Sequence, residues 1–119
     1  MLNTLADSSS LIVLARLNDL WLLKRYFGSV GLTPSAYDET VVRGKALGYP
    51  DAMRIEAAVI DGWLQVVSLS ADELTQSNVL RNSVPALSHT DCETLICARE
   101  RKWVLIMEER RGRRVAERQ

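Results

Sequence analysis

The sequence predicts an α/β fold, a three-layer α/β/α sandwich with a central parallel sheet of about four strands. Short apolar segments alternate along the chain with longer segments of helical periodicity. At least one helix separates each predicted strand from the next, which requires parallel strands covered by helices on both faces. A chain of 119 residues can bury one core, so we expect a single domain over residues 1–119.

The four predicted strands are short, and polar residues bound them. The first, "LNTLA" (2–6), ends at Asp7, and the last, "WVLIM" (103–107), ends at two glutamates. Between them lie "SVGLT" (29–33) and "WLQVVSL" (63–69), which are rich in the β-branched and apolar residues that favour strands.

Capping residues set the limits of the predicted helices. Thr33 and Pro34 form an N-cap and first-turn pair, and Gly62 ends a helix. "SADE" (70–73) is a capping box, which predicts a short helix. The first helix is apolar on almost every side and is therefore expected to be buried. The predicted helices cover residues 8–17, 20–27, 34–47, 50–61, 70–73, 88–102 and 108–118.

The charges are unevenly distributed although the net charge is zero. Residues 99–119 hold 8 basic and 4 acidic residues, whereas residues 1–98 hold 7 basic and 11 acidic residues. The cationic C-terminal segment favours a polyanionic partner. A solvated, arginine-rich helix face is the alternative explanation. The arginines in question are Arg110, Arg111, Arg113 and Arg114.

Several classes of protein are disfavoured. No apolar run approaches the roughly 18 residues that span a membrane, and the start of the chain lacks the basic region of a signal peptide. We therefore expect a cytoplasmic protein with no membrane partner. Cys92 and Cys97 point about 140° apart on a helix, which predicts free, buried thiols. With His89 as the single histidine, a zinc site is not expected.

Acidic residues stand near the carboxyl ends of the predicted strands, where parallel sheets bind ligands. Asp7 follows the first strand, and Glu39 lies in the helix after the second. Asp91 lies in the first turn of the helix before the fourth strand, and Glu108 and Glu109 follow that strand.

Each of these acids also has a simple structural explanation. Asp7 can cap a helix, Asp91 can form a capping box with Ser88, and the two glutamates would favour the positive end of a helix dipole. Glu39 lies too deep in its helix for capping, so solvent exposure or an ion pair with Arg43 is its structural alternative.

Taken together, the acids predict a metal-dependent phosphodiesterase. Carboxylate oxygens are the ligands that Mg²⁺ and Mn²⁺ prefer, and such ions activate water for in-line hydrolysis of phosphodiesters. The nearby arginines would hold the backbone of a nucleic acid. Spacing alone leaves the structural and the functional explanations open.

The order of these segments resembles the PIN domain, the fold of many VapC-type toxin ribonucleases. "LADSSSLIVLARL" is similar to the opening strand, aspartate and helix of that family, and "LTPSAYDETV" to its second strand and glutamate-bearing helix. "GYPDAMRIEAAVIDGWLQVVSLS" matches the usual helix–strand middle. "LSHTDCETLICARERKWVLIMEERRGRRVAE" resembles the aspartate-bearing helix, strand, acid and basic helix that follow.

The resemblance implies an Mg²⁺- or Mn²⁺-dependent endoribonuclease, the toxin of a toxin–antitoxin pair, with RNA and a small antitoxin protein as partners. It implies that the catalytic acids are Asp7, Glu39, Asp91 and Glu109. The same comparison places Glu108 beside them, with Asp7, Asp91, Glu108 and Glu109 as the metal ligands.

The chain departs from the family pattern at its end. The family usually has aspartate where Glu109 stands, a hydroxyl residue where Met107 stands, and a further strand after the last helix. An exposed fourth strand predicts a homo-oligomer. The departures leave a catalytically impaired PIN-like binding module as the alternative. A receiver-like phosphorylation domain is disfavoured because no lysine follows the fourth strand.

Overall fold

The computed structural model describes residues 2–107 of the chain, which form a four-stranded parallel sheet with helices on both faces. The strands are β1 (Thr4–Ala6), β2 (Val30–Leu32), β3 (Leu64–Val66) and β4 (Val104–Ile106). The predicted fold class is therefore confirmed, and all four strands lie within their predicted segments.

The strand order is β3-β2-β1-β4, and every neighbouring pair is parallel. The chain moves outward from β1 through β2 to β3 and then crosses back to pair β4 with the other side of β1. Strand order thus reverses at β1, and ligands of open α/β sheets bind beyond the carboxyl ends of the strands at such a point. Asp7 lies there, and its N–H donates a 3.0 Å hydrogen bond to the carbonyl oxygen of Ile106.

The helices agree with the predicted segments except in two places. "SADE" does form a capping box, but the helix that it caps is 13 residues long. The prediction of a short helix there is therefore wrong. The predicted helix 34–47 contains a five-residue π-helical segment. The elements are α1 (Ser8–Arg16), α2 (Trp21–Phe27), α3 (Pro34–Tyr37), the π segment (Asp38–Val42), α4 (Arg43–Ala46), α5 (Pro50–Asp61), α6 (Ala71–Ser83) and α7 (His89–Arg101). The helix predicted over 108–118 lies outside the described residues.

Alternation along β1 divides the core between the two faces of the sheet. Ala6 packs into the larger apolar cluster, with residues of α1, α2 and α5, whereas Leu5 packs against Cys97 and Ala98 of α7. Two buried clusters, one on each face, are what a three-layer sandwich requires.

Two predictions about burial have different outcomes. Cys92 and Cys97 are free and buried, as predicted, and burial raises the pKa of both thiols. The prediction that α1 is buried is confirmed only in part, because Leu11 and Ala15 are buried whereas Val13 is 50% exposed. Among residues 2–107, no helix is both long enough and apolar enough to cross a bilayer.

Candidate acidic site at the carboxyl edge of the sheet

Among the predicted site residues that the structure describes, Asp7 is the most buried, and its two carboxylate oxygens differ. Asp7 is the N-cap of α1, and Oδ1 accepts a 2.8 Å hydrogen bond from the backbone N–H of Ser10. Oδ2 is buried and has no hydrogen-bond partner within residues 2–107, and the same is true of the neighbouring Ser8 Oγ. The residue as a whole is 1% exposed. The predicted capping role is therefore confirmed, but it uses only half of the carboxylate.

A buried carboxylate oxygen without a partner is costly, because the loss of hydration is not compensated. A cation at Oδ2 would supply the missing interaction. Carboxylates are suitable donors for Mg²⁺ or Mn²⁺, so the chemistry of Asp7 fits such an ion.

Glu39 is half-buried and belongs to the π segment. In that segment the N–H of Arg43 donates to the carbonyl oxygen of Asp38, five residues earlier. The same spacing brings the side chains of these two residues together, with Arg43 Nε 3.1 Å from Asp38 Oδ2. The alternative ion pair between Glu39 and Arg43 is therefore wrong. π-Helical turns within helices are frequent at functional sites.

Asp91 is buried in the first turn of α7, where it completes the predicted capping box. Its N–H donates to Ser88 Oγ at 3.1 Å, and its Oδ2 accepts from the N–H of Ser88 at 3.2 Å. Asp91 thus has a structural role, which the sequence had offered as the alternative to metal binding.

Glu93 is a buried acid that the sequence interpretation missed. It is 4% exposed, and its two oxygens contact different partners. Oε1 accepts a 2.6 Å hydrogen bond from Ser35 Oγ at the start of α3, and Oε2 lies 2.8 Å from His89 Nε2. Glu93 therefore ties α7, which carries Asp91, to the helix that leads into the π segment.

A helical pattern could have revealed Glu93. Thr90 and Cys97 lie three residues before it and four residues after it, so all three share one face of α7. Both of these neighbours are buried. An acid on the buried face of a helix requires a partner, and this signal was available from the sequence.

The structure brings some of the predicted site residues close to one edge and leaves others undescribed. The backbone hydrogen bond from the N–H of Asp7 to the carbonyl oxygen of Ile106 fixes the end of β4 beside the backbone of Asp7. Glu108, Glu109 and the arginines Arg110, Arg111, Arg113 and Arg114 lie outside the described residues. Within residues 2–107, no three histidine, cysteine, aspartate or glutamate side chains are arranged to hold a metal ion. Whether the predicted acids together bind a metal stays a prediction.

Another buried carboxylate, Glu73, lies apart from this edge and is fully paired. Arg101 Nε and Nη2 donate to its two oxygens at 3.0 and 2.9 Å, and the N–H of Ser70 donates at 2.8 Å. The hydrogen bonds from Arg101 hold the pKa of Glu73 below its usual value of 4.5, and the partner raises the pKa of Arg101. The Arg101 guanidinium also lies 5.0 Å from the centre of the Trp103 ring. This group joins α6 to α7 and is structural.

Comparison with solved structures supports the fold. The chain is similar to the Mycobacterium tuberculosis protein VapC20, described as a sarcin-ricin loop cleaving toxin, with a TM-score of 0.63 and 16% sequence identity. The match covers 84% of each chain. No curated protein gives a significant match to this sequence.

The protein-family model described as a PIN domain (DUF3368) matches residues 3–119, which is nearly the whole chain. The order of strands, the helices on both faces and the acid that follows β1 agree with the resemblance inferred from the sequence. The chain therefore belongs to the PIN domain family.

Proposed function

We propose that this PIN domain is an Mg²⁺- or Mn²⁺-dependent endoribonuclease and the toxin of a toxin–antitoxin pair. The observation that carries the proposal is that the buried Oδ2 of Asp7 has no hydrogen-bond partner among residues 2–107, at the point where the strand order of the sheet reverses. A structural cap needs one carboxylate oxygen, so the second oxygen is available for a ligand.

In this proposal the carboxylates share the binding of a divalent ion. Asp7 contributes Oδ2, and Glu39, Asp91, Glu108 and Glu109 are the other candidates. A bound ion would supply charge stabilisation at the phosphodiester and lower the pKa of the attacking water. Glu93 holds the start of α3 against α7 through Ser35, and so keeps the helices of Glu39 and Asp91 in fixed relation.

The proposed partners follow from charge and from the similar structure. Arg110, Arg111, Arg113 and Arg114 would neutralise phosphates of an RNA backbone. VapC20, which shares the fold, is a toxin that cleaves the sarcin-ricin loop. By the same likeness we propose a small antitoxin protein as the second partner and the cytoplasm as the place of action.

The decisive experiment is an RNA cleavage assay on the purified protein. We expect single-stranded RNA to be cut in millimolar Mg²⁺ or Mn²⁺ and to remain intact in EDTA. Asp7→Asn should abolish cleavage, because the amide keeps the cap acceptor but loses the charge. The matched control is Asp72→Asn, a change at an exposed aspartate of α6 whose side chain contacts Gln76. Equal cleavage with and without EDTA would refute the metal mechanism.

A catalytically impaired binding module is the second candidate. It is favoured by Met107 and Glu109, which stand where the family usually has a hydroxyl residue and an aspartate. This candidate predicts RNA or protein binding without cleavage, and no thermal stabilisation by Mg²⁺ or Mn²⁺. Titration of the ions during thermal unfolding, run beside the cleavage assay, separates the two functions.

We also propose that the protein is a homo-oligomer that associates through β4. Within the described residues, β4 pairs only with β1, and Val104 is 54% exposed. An exposed strand edge with apolar side chains favours pairing with a second copy. Light scattering should give a dimer or a larger species, whereas a monomer at high concentration would contradict the proposal.

A further inference from the structure

A second concave surface lies at the opposite edge of the sheet from Asp7. It is an open cavity of about 340 Å³, formed between α2, α5 and the residue before β3. Trp63 precedes β3, and Asn18 follows the end of α1, so both belong to the amino-terminal edge of the sheet. Asp7 follows β1 and belongs to the carboxyl edge. The cavity and the acidic site are therefore separate.

Two tryptophans line this cavity, and they differ in burial. Trp63 packs partly against the main core and forms a fixed wall. Trp21, the first residue of α2, is 55% exposed. Aromatic rings at an open cavity provide faces on which a planar ligand can stack, and every base has such a face.

Two cations line the same cavity without a neutralising carboxylate. Neither Lys24 nor Arg54 forms an ion pair with any residue in the 2–107 range. Arg54 Nη1 donates a 2.7 Å hydrogen bond to the carbonyl oxygen of Ala15. This bond fixes the guanidinium and leaves its other N–H groups to donate to a ligand. Among the described residues Asp61 is the one acid of the lining, so these lining side chains carry a net positive charge.

We propose that this cavity binds one nucleotide of a single-stranded RNA. The base stacks on the indole rings, and Lys24 and Arg54 bind the adjoining phosphate. Asp61 offers an acceptor for the exocyclic amino group of adenine, cytosine or guanine. The inference rests on the proposed function, because it takes RNA as the substrate. It adds a contact remote from the acidic edge, by which the protein holds a strand beyond the cleaved bond.

The charge and the size of the cavity argue for a nucleotide. A volume of about 340 Å³ falls within the range of small-molecule sites, at roughly 300–1,000 Å³. Cations beside exposed indole rings match a ligand that joins a planar ring to an anion. A nucleotide has this composition.

The test measures RNA binding without cleavage. A fluorescently labelled oligoribonucleotide of mixed sequence is titrated with protein in EDTA, and its anisotropy is followed. We expect Trp21→Ala to weaken binding roughly tenfold, in line with the loss of one stacked base. Trp21→Phe should retain most of the affinity, because it keeps an aromatic ring. Tyr26→Ala is the matched control, since Tyr26 is an exposed aromatic residue of α2 that does not line the cavity.

Salt dependence tests the cations separately. Replacing Lys24 with glutamine should weaken binding and reduce the slope of log affinity against log salt by about 0.7, the value for one phosphate of a single strand. An unchanged slope would remove Lys24 from the proposed contact. Thermal melts of each variant check that the fold is intact.

Further measurements distinguish RNA from free nucleotides as the ligand. They also show which of the two proposals has failed. Quenching of tryptophan fluorescence by adenosine monophosphate, at an affinity equal to that of the oligonucleotide, would assign the cavity to free nucleotides and overturn the RNA subsite. Unchanged RNA affinity in Trp21→Ala would also overturn it. RNA binding that needs Trp21, without cleavage in Mg²⁺, would refute the proposed nuclease and leave the subsite standing.

Discussion

Asp7 and Glu73 are both buried carboxylates, yet their surroundings are opposite. Glu73 accepts hydrogen bonds from Arg101 and from the N–H of Ser70, so its charge is fully compensated. Asp7 accepts one from Ser10 and has a second oxygen that is buried and unbonded within the described residues. Both are exposed by 5% or less.

The difference separates an acid that stabilises the fold from one suited to bind a ligand. A paired carboxylate has no remaining interaction to offer without breaking one that stabilises the protein. A half-paired carboxylate has an uncompensated oxygen, at which a ligand, a cation above all, gains an interaction. Burial alone therefore does not identify a functional acid. The hydrogen bonds that each carboxylate oxygen accepts distinguish Asp7 from Glu73.

The largest expected effect is the loss of activity in Asp7→Asn. We expect RNA cleavage to fall by at least about a hundredfold while the free energy of unfolding in EDTA stays the same or rises, because asparagine is as good an N-cap as aspartate. The companion variant Asp7→Ala should lose cleavage and also about 1 kcal/mol of stability, since it removes the cap. Urea unfolding and cleavage rates measure both. A destabilised Asp7→Asn protein would place Asp7 with Glu73 as a structural acid.

The second effect concerns the structural acid. Arg101→Ala should lower the free energy of unfolding by about 2 kcal/mol, because it leaves the Glu73 carboxylate without its charged partner. Cleavage by the folded fraction should be unchanged. Chemical denaturation compares Arg101→Ala with the control Arg99→Ala, which removes an exposed arginine of the same helix. Equal stabilities of the two variants would contradict the comparison.

The pH dependence of stability also tests whether the pairing of Glu73 with Arg101 stabilises the fold. The pKa of Glu73 is lower in the folded protein than its usual value of 4.5, so its contribution is present above that value and is lost as the pH falls through the folded pKa. Glu73→Gln should therefore lose less stability between pH 5 and pH 3 than the unaltered protein. Identical pH profiles would show that the pair contributes nothing.

Glu93 is a third buried acid to compare with Asp7 and Glu73. The smaller effects expected on replacing it decide whether it is structural, like Glu73, or functional, like Asp7. Glutamine can still accept the hydrogen bond from Ser35, so we expect Glu93→Gln to change stability by less than about 1 kcal/mol. Cleavage should fall about tenfold, because the charge near the acidic edge is lost. Ser35→Ala, which removes the tie and keeps the charge, is the matched variant. A large loss of stability in Glu93→Gln with normal cleavage would class Glu93 as structural.

The sequence predicted the features that depend on neighbouring residues. The four strands, their parallel arrangement and the caps at Asp7, Ser70 and Ser88 depend on local pattern, and the structure confirms them. The length of α6 was underestimated because its buried face consists of Glu73 and Ser77, so no apolar period marked it.

The features that were missed depend on distant partners. Ser35 and Glu93 are 58 residues apart, and Glu73 and Arg101 are 28 residues apart. Such pairs carry no local signal, so the burial of an acid could be suspected from its helix face but its partner could not be named. The full set of acids in the candidate site remains a prediction because Glu108 and Glu109 lie outside the described residues.

In the helix that contains the π segment, the orientation of Glu39 depends on the number of residues as well as on their identity. Residues 34–46 run without a break through α3, the π segment and α4, and the wide turn accommodates one more residue than an α-helical turn would. Deleting Thr40 would convert this stretch to a regular α-helix and rotate everything before it by about 100° relative to α4. Glu39 would then face a different neighbour although no acid had been changed. Single-residue deletions and insertions in this helix are therefore expected to switch the orientation of Glu39 in discrete steps.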